Sequence, residues 1–168
     1  MPVLEQLGPD ALRHTLVTYR NTLKRHQADL NKLNVYPVPD GDTGTNMSRT
    51  LDAVVAEIDK AIDTSMAGIC AAVSHGSLMG ARGNSGVILS QVLRGLAARF
   101  SSAAEVDATV FAEAMTAAAK SAYEAVLKPI EGTILTVVRE SAEAATENAA
   151  RGAALVEVLV ATRDAGRD

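Results

Sequence analysis

The segment Asn34-Val-Tyr-Pro-Val-Pro-Asp-Gly-Asp-Thr-Gly44 packs two prolines and two glycines into the eight residues from Pro37 to Gly44. Proline removes a backbone donor and clashes with the preceding turn, so no helix runs through this stretch. Two further breaks share its polar, glycine-bearing character: Gly80-Ala-Arg-Gly-Asn-Ser-Gly86 and Pro129-Ile-Glu-Gly-Thr133. Between the breaks the apolar residues recur at three- to four-residue steps, the period of a helix with one buried face. A chain written this way folds as a series of helices joined by glycine-rich turns.

The spacing Leu12, Leu16, Tyr19, Leu23, Leu30, Leu33 predicts a first helix over about 10–32, with one seven-residue step across a polar patch. A second helix is expected over about 45–60, carrying Met47, Leu51, Val54, Val55 and Ile58 on one face. A third follows Asp63-Thr64-Ser65 and runs to about 79, and a fourth begins at the 80–86 break. A fifth covers about 107–127 with Asp107 as N-cap, a sixth about 133–150, and a seventh begins near 153. No strand-like alternation bounded by turns is present. The composition agrees: 30 alanines, 3% aromatic residues and no Trp suit helices whose backbones approach closely. The expectation is one all-α domain over residues 1–168, a length that hides roughly 70% of the unfolded surface.

A formal net charge of −4 argues against a nucleic-acid-binding face. No apolar run reaches the roughly 18 residues a membrane span requires. The first residues lack the basic and apolar regions of a secretory signal. The one cysteine, Cys70, cannot form an internal disulfide, which fits the cytoplasm. The polar end Arg163-Asp-Ala-Gly-Arg-Asp168 lacks a helix stop and reads as a cut inside a longer protein. His14, His26 and His75 are isolated; His14 and His26 read as exposed polar positions, and His75 as a packed or surface residue or, near the expected site end, a substrate-side one.

In the first break, Asp40 and Asp42 stand either side of Gly41 in a loop stiffened by Pro37 and Pro39. Two carboxylates so close repel unless a cation or strong hydrogen bonding compensates. Few hard oxygen ligands suit Mg²⁺, which keeps waters and completes its shell with phosphate oxygens. Asn34 and Asn46 flank the loop and could add amide oxygens. The alternative is a surface turn in which both aspartates act as caps. In the second break, glycines expose backbone N–H groups and the next helix presents its positive end, an arrangement suited to an anion. Ser85 could donate a hydroxyl and Arg82 a charge, or the stretch could be a plain turn with Ser85 as cap. No Lys follows Gly86, so it is not a Walker A loop. In the third, Glu131-Gly132-Thr133 opens a helix, and taken alone it reads as a cap. If the helices alternate up and down, consecutive breaks are two helices apart and all three fall at one end. That end would hold what nucleotide and Mg²⁺ require.

The stretches Asn34–Met47, Ala81–Gln91 and Glu131–Thr136 resemble the nucleotide-binding domain of the DhaL- or DAK2-like family. Within it they look most like the N-terminal domain of the bacterial fatty acid kinase catalytic subunit. The resemblance implies an eight-helix up-and-down barrel with ATP or ADP and two Mg²⁺ ions at one end. About seven helices are expected here, the family's last helix lying beyond residue 168. Its metal and catalytic aspartates fall on Asp40 and Asp42, with Asn34 where the dihydroxyacetone kinase branch has a third aspartate. Its phosphate-binding stretch falls on Thr43, Gly44, Thr45 and Asn46, and its glycine-rich loop on Gly83, Asn84, Ser85 and Gly86. The pocket wall falls on Gly132 and Thr133.

The implied reaction moves the ATP γ-phosphoryl group onto a fatty acid carboxylate presented by a DegV-type binding protein. A carboxylate is already ionised at neutral pH, so no general base need be found. Asn34 and Thr43 argue against the dihydroxyacetone branch, which has Asp and His there. A dihydroxyacetone-type kinase subunit and a non-catalytic nucleotide-binding module remain as alternatives, and a homodimer is left open.

Overall fold

The structure is a computed structural model that describes residues 4–167. Among those residues it contains eight helices and no strand: α1 (Pro9–Arg25), α2 (Gln27–Leu33), α3 (Thr43–Lys60), α4 (Met66–Gly80), α5 (Gly83–Phe100), α6 (Ala108–Glu124), α7 (Ile134–Ala150) and α8 (Leu155–Ala165). An isolated antiparallel bridge pairs Leu7 with Val106 and ties the N-terminal segment to the α5–α6 turn.

The eighth helix comes from a division that the periodicity did not show. The helix expected over 10–32 breaks at His26, whose backbone (φ −102°, ψ 8°) leaves the helical region while its N–H still bonds Thr22 and Leu23. The break falls in the seven-residue step between Leu23 and Leu30, where no side chain anchors the helix to the core. α2 has no buried residue and turns across the start of α3.

The other boundaries follow local chemistry. Ser65 accepts from Gly68 N, Asp107 from Val110 N and Thr133 from Leu135 N, each capping the helix that follows. The fifth expected helix stops at Glu124, three residues short of the reading, where the chain turns toward Pro129.

α1 packs antiparallel to α3, and from α3 onward consecutive helices pack antiparallel. Arg13 pairs with Asp59 and Lys24 with Asp52 between α1 and α3. Gly76 and Gly80 of α4 lie against Val54 and Ala53 of α3. Gly95 lies against Ala118, and Arg99 pairs with Glu113, between α5 and α6. Thr116 meets Thr146 between α6 and α7, and Gly166 meets Ser141 between α7 and α8. The small residues set the spacing: a Cβ on Gly95 would sit 2.5 Å from Ala118 Cα. The alanine content is used here, with Ala114, Ala118, Ala122 and Ala145 all fully buried. The main core gathers Leu51, Val54, Ile58, Ile69, Leu93 and Phe100. The alternation carries the starts of α3, α5 and α7, and so all three breaks, to one end of the bundle.

Candidate functional site

The diacid loop is held by asparagines rather than by its own aspartates. Asn34 Oδ1 accepts the backbone N–H groups of Asp42 and Thr43, each at 3.2 Å, and the Thr43 hydroxyl at 2.8 Å. Its Nδ2 donates to Val38 O. Asn31 Oδ1 accepts Thr45 N–H at 3.1 Å, and Asn31 Nδ2 donates to Thr45 Oγ1 at 2.9 Å. Three of the four orphan amides at the start of α3 are thus satisfied from α2 and its C-cap.

Asp42 occupies the N-cap position but its side chain caps nothing. Gly41 makes the turn between the two acids with φ +65°. Among the described residues, neither Asp40 nor Asp42 has a side-chain hydrogen bond or an ion pair. Asp40 is exposed and Asp42 half-buried. The capping role weighed for these acids is therefore filled by other residues. Asn34, expected at a metal-ligand position, has its amide oxygen filled by three donors.

The second break lies directly against the first. Gly83 (φ +61°) faces Asn46, and a Cβ there would fall 2.1 Å from Asn46 Nδ2. Gly86 faces Thr50, whose hydroxyl bonds Asn46 O at 2.9 Å and Gly80 O at 3.3 Å. Gly44 in turn packs on α2, with a virtual Cβ 2.3 Å from Gln27 O. Glycine is required at these contacts because no larger residue fits between the segments. Ser85, a cap candidate on sequence, caps nothing: its Oγ is buried with no hydrogen-bond partner. A buried hydroxyl left unsatisfied costs roughly 1–3 kcal/mol; Ser48 Oγ on α3 shares this condition, and Ser85 differs from it in lying on the glycine turn at a helix start. Asn84 is exposed at the mouth of the turn, and Arg82 rests on the carbonyls of Met79 and Ala81.

These features sort by charge. Two unbonded carboxylates suit a hard cation. A helix start, a glycine turn and an unpartnered serine hydroxyl suit an anion. Among the described residues no three His, Cys, Asp or Glu side chains form a metal cage. A cation held here would rely on the two acids, with water and phosphate oxygens completing its shell.

The DAK2 domain family model matches residues 37–168, from within the diacid loop to the last residue of the chain. The chain belongs to the DAK2 domain family. DAK2 domains bind nucleotide and are associated with kinase subunits. Similar proteins occur in Staphylococcus aureus strains bovine RF122 / ET3-1, USA300 and NCTC 8325 / PS 47, where they are described only as uncharacterized proteins. Each is 46% identical over 135 residues, which is 80% of this chain and 25% of the relative. The chain thus spans about a quarter of the length of the relatives it matches.

The third break of this DAK2 domain stands apart from the other two. Glu131 is its hub: Oε1 accepts the Tyr123 hydroxyl at 2.8 Å, and Oε2 accepts the Thr136 hydroxyl at 2.7 Å and Arg139 at 3.3 Å. The Thr136 and Tyr123 hydrogen bonds, with smaller help from Arg139, hold the Glu131 carboxyl below its ordinary range. Gly132 (φ +75°) has no atom within 4 Å of a virtual Cβ. Thr133 caps α7, as the local reading had it. Among the described residues no hydrogen bond or ion pair joins 129–133 to either of the other breaks.

Sequence reasoning missed Asn31, Gln27 and the Glu131 network. Asn31 and Gln27 lie on a helix that the spacing merged into its predecessor. The only local signal was Asn31 and Asn34 standing three residues apart just before the break.

Proposed function

We propose that this domain binds ATP with Mg²⁺ and serves a kinase that transfers the γ-phosphoryl group to a fatty acid carboxylate. The observation that carries the reading is a division of labour. Asn31 and Asn34 hold the start of α3, which leaves Asp40 and Asp42 unbonded beside a turn with an unsatisfied serine. Asp40 and Asp42 would hold the metal, two ions in the full reading. When bound, Mg²⁺ neutralises charge that develops on the phosphates.

The chain's own groups then divide as follows. Gly83, Asn84, Ser85 and Gly86 offer amides and a hydroxyl to phosphate oxygens, as do Thr43, Gly44, Thr45 and Asn46. Asn34 braces the loop. Gly132 and Thr133 border the same end. The acceptor carboxylate is ionised at neutral pH and needs no base. A fatty acid as acceptor, presented by a DegV-type protein, rests on the motif, where Asn34 and Thr43 match the fatty acid kinase branch. No described helix is long and apolar enough to cross a membrane. Cys70 is a buried free thiol, pushed up to about 11 by burial, and a cytoplasmic location rests on the lone cysteine of the sequence.

Calorimetry with ADP in the presence and absence of Mg²⁺ tests the site. Metal-dependent binding is expected, and its absence would sink the reading. Offering a protein of the full relatives' length either fatty-acid-loaded binding protein or dihydroxyacetone decides the acceptor. Turnover of dihydroxyacetone alone would favour the other branch.

A further inference from the structure

The two threonines at the start of α3 are wired in opposite senses. Thr43 Oγ1 donates to Asn34 Oδ1 at 2.8 Å, so its proton is taken and its two lone pairs are open. Thr45 Oγ1 instead accepts, from Asn31 Nδ2 at 2.9 Å and from Gln27 Nε2 at 3.3 Å. The orientation of Asn31 is forced. Its Oδ1 accepts the Thr45 backbone N–H, a group that can only donate, so the other arm must be the amide nitrogen. A hydroxyl has two lone pairs and one proton. Asn31 fills one lone pair of Thr45 and the Gln27 amide nitrogen, as placed in the structure, meets the other at 3.3 Å, which leaves the proton as the remaining capacity; unlike Asn31, Gln27 has no second bond that fixes which arm faces Thr45. Among the described residues no acceptor takes it. Thr45 is half-buried, one turn from the unbonded Asp42 and beside Asn46, which touches Gly83.

We infer that Asn31 is a positioning residue that acts through Thr45. By holding Thr45 N–H and Oγ1 with its two arms, it leaves the hydroxyl proton as a donor for a phosphate oxygen of the bound nucleotide. The inference rests on the nucleotide-binding reading of this site and adds to it a residue outside the family-like motif. A plain capping role would use only the Asn31 oxygen. The amide nitrogen, which sets the polarity of the hydroxyl, is what separates the two roles.

The test is ADP binding with Mg²⁺, by calorimetry, to the protein and to Asn31→Ala, Thr45→Val, Thr45→Ser, Asn31→Asp and the double variant Asn31→Ala/Thr45→Val. Thermal melting is followed in parallel. Loss of one hydrogen bond to a charged oxygen lowers affinity about tenfold to a hundredfold, which is expected for Thr45→Val. Thr45→Ser keeps the hydroxyl and is expected to keep the affinity. Asn31→Ala should weaken binding, and the double variant should bind no worse than Thr45→Val alone, because the two act as one unit. Asn31→Asp keeps an acceptor for Thr45 N–H but draws in the hydroxyl proton. It should melt close to the parent yet bind ADP as weakly as Thr45→Val. If Asn31→Ala fails to fold, Asn31→Asp carries the test. Additive losses in the double variant, or parental affinity in Asn31→Asp, overturn the inference and leave the nucleotide reading intact. Absence of Mg²⁺-dependent binding in the parent overturns both.

Discussion

The breaks at 34–46 and 80–86 are fitted to each other, whereas the break at 129–133 is fitted only to itself. In the first pair, glycines are pressed against a neighbouring segment and the carboxylates are left without partners. In the third, the glycine stands in open space and the carboxylate of Glu131 is fully engaged. Holding a turn in shape takes bonded side chains, as at Glu131. Receiving a ligand takes unbonded ones on a frame that other residues hold, the role proposed for Asp40 and Asp42. The contrast supports the ligand chemistry proposed for the first two breaks and shows a self-braced turn at the third.

Removing the carboxylates tests it most strongly. Asp40→Ala and Asp42→Ala should each reduce Mg²⁺-dependent ADP binding by about a hundredfold or more, at least the tenfold to hundredfold that loss of an outer-shell partner of a metal costs. Neither should lower the melting temperature, since neither side chain bonds within the fold. A variant that melts early with binding retained would reverse the assignment.

The glycines give a cleaner subtraction. Gly83 and Gly132 both have positive φ, so alanine at either carries a left-handed penalty of about 1 kcal/mol. Only at Gly83 does the new methyl strike a neighbour, the buried Asn46. Gly83→Ala should therefore cost about 2–3 kcal/mol and lower the melting temperature by about 5–10 °C, with loss of ADP binding. Gly132→Ala should lower it by about 2–4 °C and leave binding nearly intact. Equal shifts in the two variants, read by calorimetric melting, would remove the distinction between the regions.

The fold was legible because its punctuation is covalent. Pro37, Pro39 and the glycines end helices by geometry, and Ser65 and Asp107 cap by local reach, so those boundaries appear in the sequence. The break at His26 has neither proline nor glycine. It follows from where α2 can lie against α3, which is a tertiary fact. The site was legible as a set of residue types, but the partners were not. Asp42 stands where an N-cap should, yet the caps come from Asn31 and Asn34, eleven and eight residues earlier in the chain. A residue's place next to a helix start says little about which side chain reaches it first.

The smallest expected effect lies at Glu131. Its carboxyl titrates below the ordinary range because the Thr136 and Tyr123 hydroxyls, and then Arg139, favour the charged form. A depressed folded-state value means the network contributes above the unfolded value, and that its contribution is lost as pH falls through the folded one. At neutral pH Glu131→Gln should shift the melting temperature less than Gly132→Ala does, since the site is exposed and solvent screens it. The difference between parent and variant should then disappear in acid, below the usual carboxylate range. Melting curves from neutral pH into that range check this. A gap that widens on acidification would mean that Glu131 is not the group holding the third break, and the bracing assigned to that region would have to come from the Arg139–Glu143 pair instead.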